Sequence, residues 1–458
     1  MVDDRPDTKA SLGFRRRFGY GAGDFGLNLF FTTAGLYLLF YYTEVLELPP
    51  ATAGWVFAAA LIWDALFDPL MGYVANRTRS RWGRYRPYIL FGAIPLAASW
   101  VLMFLPTGYT GTALVVFAIA THVLFRTIYA IVSMPFLALS AVLTTDSKER
   151  SMLTAYRMCG AFAAGIFIAV ATLPLVNLFG GGQEGFLKVA VLYGSVGAGV
   201  LFFVFANTHE EAISIEAPPD PTMGEMLHML RRNRAFWLVC GGMLAGSAGG
   251  TFMSKSLPYY FKYAFEREDL IPAALAIMAL SMAFTIPLWT WIMTRWSKRA
   301  GWAIGILLSL FSFPLLWWAP NSTVFLAVLV IFGAGSGAGA IGFWSMMPDT
   351  VEYGTWRSGV RAEGAIFGFV SLIQKASLGL AAAGLGELLG LIGYRANVVQ
   401  SPATLLGLKA VMLGAPVALY VIALAFIVLY PITPVLHARL LKALAWRDRK
   451  RGIVEAVG

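Results

Sequence analysis

Asp64 and Asp68 stand four residues apart in an otherwise apolar run. In a helix that spacing puts both carboxylates on one face. Two like charges so close need a cation, a proton or a basic partner. A plainer alternative leaves one carboxyl neutral and uses both to cap local backbone, helped by a kink at Pro69. An ionisable group at the centre of a membrane costs at least about 2.5 kcal/mol, so the pair points to a cation or proton site. Lys375, beside Gln374 and Ser371, is a cation in another apolar run. It is tolerable there if it pairs with Asp64 or Asp68, as a fixed bridge or as one broken by cation or proton binding. Asp24 lies in a third such stretch. His122, Arg126, Tyr129 and Ser133 follow at i, i+4, i+7 and i+11, one polar helical stripe that should face a cavity. Arg126 fits either an ion pair with Asp24 or a site for an acidic substrate group. His122 reads as a satisfied or interfacial histidine. Arg157, near a helix end, reads as a snorkelling side chain.

The elements that must position these groups follow from composition. Of 458 residues, 58% are apolar and only 13% charged, about half the charge of soluble domains. Disorder, collagen, a disulfide scaffold and a large soluble enzyme are excluded together. Apolar segments recur at 19–43, 51–76, 88–106, 112–144, 151–178, 184–207, 235–264, 270–295, 302–318, 323–347, 363–392 and 405–435. Each approximates the 20 or so residues that span a bilayer. The chain is therefore expected to be an all-α integral membrane protein of about twelve spans. Basic residues gather in alternate loops, so the net charge of +10 encodes orientation, with both termini cytoplasmic. Nucleic-acid binding is not expected. The polar start, Met1 to Ala10, predicts no signal peptide.

A polar linker at 208–234 divides the chain into bundles 1–207 and 235–458, the latter with a basic tail. A short echo relates the halves: Pro69-Leu70 and Pro287-Leu288 each precede an arginine, Arg77 and Arg295, by eight residues. Two six-helix halves with a midplane site between them are the major-facilitator arrangement. Two G-x-G-x-x-G stretches, from Gly21 and from Gly337, lie in spans and not in βαβ units, so they read as close-packing surfaces. Cys159 and Cys240 lack metal spacing, and no Walker A, H-E-x-x-H or nucleophile–base pattern occurs. The expectation is a transporter with no cofactor, not an enzyme.

Several motifs resemble the glycoside–pentoside–hexuronide:cation symporters, the melibiose carrier family. Gly19-Tyr20-Gly21 with Gly23-Asp24-Phe25-Gly26 and Asn28 is similar to its first span. Ile62-Trp63-Asp64-Ala65 with Asp68-Pro69 is similar to the second, and Thr78 to Pro87 to the loop that follows. In the second half, Asp349 to Gly354, Gly359 to Gly364 and Gln374-Lys375 match in order. The resemblance covers nearly the whole chain. It implies alternating access, with a solute moving together with Na⁺, Li⁺ or H⁺. It assigns the cation to Asp64 and Asp68, places Lys375 close by, and sets Arg157 near the sugar. Asn28 and Ser133 stand where the melibiose carrier holds galactoside hydroxyls with aspartates, and Leu137 where it has a tryptophan. Phe67 and Ala130 replace two oxygen ligands of its sodium site. A proton needs only one carboxylate, so H⁺ is expected over Na⁺; Asp64 and Asp68 are metal ligands only in the Na⁺ case.

The expected function is cation-coupled symport of a sugar, glycoside or sugar acid by a monomer in the cell (inner) membrane. Asp24, Asn28, Arg126, Tyr129, Ser133, Arg157 and Gln374 would contact substrate, and Arg126 leans it toward an anion such as a hexuronide. Arg77, Arg81 and Arg84, with Glu352, Arg361 and Glu363, would form a cytoplasmic gate. An amphipathic-lipid symporter of the same fold is the runner-up; it calls for a polar head pocket at Arg126 and a lateral apolar cleft. A non-transporting membrane sensor would lack the intramembrane charges and carry a large soluble output region.

Overall fold

In lipid a long apolar run can satisfy its backbone only within a helix or a closed barrel. The computed structural model takes the first course: residues 12–144, 147–210, 223–359 and 363–450 are described, and they contain helices and no strand. Fourteen α-helices occur among them. The first seven are α1 (Phe14–Phe40), α2 (Pro50–Arg77), α3 (Arg86–Leu102), α4 (Gly111–Leu143), α5 (Ser147–Leu178), α6 (Gly182–Asn207) and α7 (Met223–Arg232). The others are α8 (Arg234–Tyr263), α9 (Ile271–Arg295), α10 (Lys298–Trp317), α11 (Ser322–Ser358), α12 (Glu363–Leu391), α13 (Pro402–Val428) and α14 (Pro434–Lys450). A π-helical turn, Tyr41–Val45, extends α1.

Eleven of the described helical segments are long and apolar enough to cross a membrane. The remaining expected span, at 88–106, is α3, a shorter apolar helix of 17 residues. Its N-terminus is held by a residue not foreseen from sequence. Glu210 accepts the backbone N–H groups of Arg84, Tyr85 and Arg86 at 2.6, 2.7 and 2.9 Å. A carboxylate there meets otherwise orphaned donors and the positive end of the helix dipole.

The chain sorts into two compact units, Met1–Glu47 with Trp63–Ile215, and Leu48–Ile62 with Glu216–Gly458. In the first, α1 packs on α5 and α6, and α3 on α4 and α6. In the second, α8 packs on α11, α12 and α13, and α10 on α11 and α13. The first half of α2 groups with the second unit, a detail that span counting does not reveal. Gly54 is the local reason: a Cβ there would meet the Ala382 carbonyl oxygen at 2.7 Å, so the bare backbone lets α2 lie against α12. The expected linker contains α7, which packs against α11.

Candidate functional site

In the first unit the crossing of α1 and α5 sets the site. A Cβ on Gly21 would lie 2.7 Å from Tyr156 Cβ, and one on Gly160 only 2.6 Å from the Gly21 carbonyl oxygen. The glycine pattern of α1 is therefore a packing surface, as its context in a span suggests. One helical turn from this contact, on each helix, lie Asp24 and Arg157. Arg157 Nε donates to Asp24 Oδ2 at 2.7 Å and Nη2 to Oδ1 at 3.4 Å, a forked pair. This replaces two expectations: Arg157 does not snorkel, and the partner of Asp24 is Arg157, not Arg126. Close backbones leave the Arg157 guanidinium no need to reach for the interface.

Arg126 faces Asp64 instead, Nη1 to Oδ2 3.7 Å, with side chains only 1% and 0% exposed. Its Nε donates to His122 Nε2 at 3.3 Å, so His122 accepts one of the hydrogen bonds that Arg126 offers. The guanidinium also lies over Phe31, 5.1 Å from the ring centroid. Along the α4 stripe His122, Arg126 and Ser133 are buried and Tyr129 is half-buried. Tyr129 stacks on Phe31 with centroids 5.7 Å apart. Its hydroxyl lies within electrostatic reach of Asp24, Asp64, Asp68 and Arg126. Asp68 is buried beside its partner on α2. Asn28 spends one amide N–H on the Asp24 carbonyl, at 2.8 Å, and accepts from Thr32 at 2.9 Å. Nine charged and polar groups from α1, α2, α4 and α5 are therefore gathered in one unit.

The other predicted site residues belong to the second unit. Lys375 is half-buried and Gln374 exposed on α12. Glu352 on α11 bonds His437 of α14 at 2.6 Å. Arg361 lies outside the described residues, as does the side chain of Glu363. The arginine loop of the first unit is engaged locally: Arg77 lies 4.0 Å over Tyr73, Arg81 lies 4.0 Å over Trp82, and Arg84 meets Glu210 through its backbone. Lys255 was not foreseen. It is buried in α8, its ammonium 4.0 Å from the Phe57 ring centroid. The criterion that singles out Lys375, an ionisable group within an apolar run, applies to it equally.

A lateral groove of about 800 Å³ opens between α1, α5 and α6. Its walls are apolar or small residues such as Phe18, Ala22, Gly160 and Val200, with no Lys, Arg, Asp or Glu among them. Arg126 does not line it.

Comparison with known proteins gives the chain a family. Residues 19–434 match the family model described as MFS/sugar transport protein. The chain belongs to this family. Among its relatives, the isoprimeverose transporter of Lactiplantibacillus pentosus is 31% identical over 445 residues, spanning 94% of this chain and 92% of that protein. The glucuronide carrier protein homolog of Escherichia coli (strain K12) is 29% identical over 430 residues, spanning 92% and 93%. Both fit the glycoside–pentoside–hexuronide:cation symporter resemblance. The crystal structure of a bacterial homologue of the human lysosomal transporter Spinster, inward-facing and unoccupied, aligns with a TM-score of 0.69 at 14% identity over 94% of this chain and 98% of that one. At that identity the match establishes the fold, the major facilitator fold. This family member is thus a multi-pass membrane transporter and not an enzyme.

Proposed function

We propose that the protein is a proton-coupled symporter of a sugar acid or related anionic glycoside. The observation that carries this reading is the sealed Arg126–Asp64 pair. Arg126 holds a fixed positive charge against the carboxylate that a coupling Na⁺ would need. A proton can compete for Asp64 without extra ligands, whereas Na⁺ wants several oxygens at once. Two candidate ligand positions offer none: Phe67 stacks on Trp63, with centroids 6.1 Å apart, and Ala130 is a buried methyl.

Protonation of Asp64 neutralises it and releases the guanidinium of Arg126 for an anionic substrate group. Arg157 and Asp24, with Tyr129 and Asn28, supply donors and acceptors for hydroxyls, and Phe31 and Tyr129 offer ring faces. Substrate and proton then favour the same state, the condition for coupled movement. Support also comes from relatives whose names include a glucuronide carrier homolog and an isoprimeverose transporter. The lateral groove lacks the basic head pocket that a lipid anion would require.

A ligand-stabilisation screen of purified protein tests the substrate class. Hexuronides should raise the apparent melting temperature, by mass action, and Arg126→Met should abolish that rise. Stabilisation by neutral glycosides alone, or by lysolipids alone, contradicts the assignment.

A further inference from the structure

The second unit carries a cluster of which the transport reading uses only Glu352, as an expected gate residue. Asp349 and Glu352, three residues apart on α11, share a face, and His437 arrives from the first turn of α14. His437 Nε2 lies 2.6 Å from Glu352 Oε2 and 3.6 Å from Asp349 Oδ1. One donor atom from each residue falls within 4.8 Å of the other two. Ligands on a four-coordinate zinc, at bond lengths near 2.0–2.1 Å, sit about 3.4 Å apart, so the 2.6 and 3.6 Å separations bracket what the ion requires.

Two further observations point to a ligand here. A cavity of about 360 Å³ opens onto the cluster, lined by Asp349, His437, Lys298 and Tyr430 among others. The Tyr430 hydroxyl is buried, with the whole residue 1% exposed, and has no hydrogen-bond partner. Burial first, then the carboxylates of Asp349 and Glu352, push that hydroxyl's pKa upward, which places it in their field. A phenol held protonated beside an acidic cluster is a donor awaiting an acceptor. Lys298 Nζ donates to Asp349 Oδ1 and Oδ2 at 2.7 and 2.9 Å. The side chain of Lys298 is 38% exposed, so it can keep Oδ2 while Oδ1 turns to an ion, the outer partner that metal-bound carboxylates commonly have. Arg299 is committed to the Tyr430 carbonyl at 3.2 Å.

We infer that Asp349, Glu352 and His437 form a Zn²⁺-type transition-metal site that ties α14 to α11. The ligand set is one imidazole nitrogen and two carboxylate oxygens, which suits Zn²⁺ and leaves a fourth position for water from the cavity. Tyr430 would donate to that water. The site is remote in sequence from the proton-coupling groups and belongs to the other unit.

The test is a zinc titration of the full-length protein, freed of any purification tag, by calorimetry and by thermal shift. One Zn²⁺ per chain should bind and raise the melting temperature. His437→Gln and Glu352→Gln should each weaken binding by at least about tenfold. Glu352→His restores a ligand and should bind within about threefold of the wild type or more tightly. That variant separates a metal site from a merely structural hydrogen bond. Absence of saturable binding overturns the inference, and so does unchanged affinity in His437→Gln. Glu352→His behaving like Glu352→Gln overturns it as well.

Discussion

Replacing Arg126 by Met is the most informative single perturbation of this protein. The guanidinium faces Asp64 at 3.7 Å, with both side chains sealed from solvent. At an effective dielectric of about 20, a unit pair at that distance is worth about 4.5 kcal/mol of Coulomb attraction. Removing one partner of a buried pair costs roughly 3–5 kcal/mol, because the remaining charge keeps its desolvation penalty. With about 2.1 cal/mol/K of unfolding entropy per residue, a chain of this length loses roughly 4 °C of melting temperature for about 4 kcal/mol. Methionine is unbranched and flexible and fills part of the arginine volume, so the deficit should be chiefly electrostatic. The assay is a thermal melt in detergent of Arg126→Met, Asp64→Asn and the double variant. The double variant should recover at least half of the loss, since it removes both charges. A single variant as stable as the wild type, or a double variant no better than the single, refutes the reasoning.

Other consequences follow from the same geometry. Gly160→Ala should lower the melting temperature by roughly 1–3 °C, because its Cβ meets Gly21 backbone and overpacking costs about 1–3 kcal/mol. Gly165→Ala, on the same helix with nothing within 4 Å of the added Cβ, should be neutral or stabilising by the usual helix preference for alanine. Arg157→Gln should strip Asp24 of its forked partner and weaken substrate binding, read as a loss of ligand-induced thermal shift, by at least about tenfold for a charge-assisted pair. Glu210→Gln should speed hydrogen exchange at Arg84, Tyr85 and Arg86 by roughly tenfold, the equivalent of about 1.4 kcal/mol, as the charged cap of α3 is lost.

The spans were legible because lipid leaves an apolar run few choices, and even the long α4 and the short α3 begin close to where hydropathy places them. The polar stripe of α4 was legible from the spacing of His122, Arg126, Tyr129 and Ser133 alone. Pairing was not. Periodicity says which residues share a face of one helix, and nothing about which helix that face meets. Asp24 therefore remained open to Arg126 until the glycine contact of α1 with α5 delivered Arg157. The division of α2 between units was hidden for the same reason: it depends on Gly54 meeting α12, a contact more than three hundred residues away in sequence. Lys255 could have been found by the rule that found Lys375. Glu210, in a polar stretch after α6, carries no local signal of the three backbone donors it accepts.

Proton coupling through Asp64 is tested most directly by uptake of a radiolabelled hexuronide into proteoliposomes under an imposed proton or sodium gradient. An inward proton gradient should drive accumulation, a sodium gradient alone should not, and Asp64→Asn should keep counterflow exchange while losing driven uptake. Accumulation driven by sodium alone, or driven uptake that survives Asp64→Asn combined with Asp68→Asn, would contradict the mechanism.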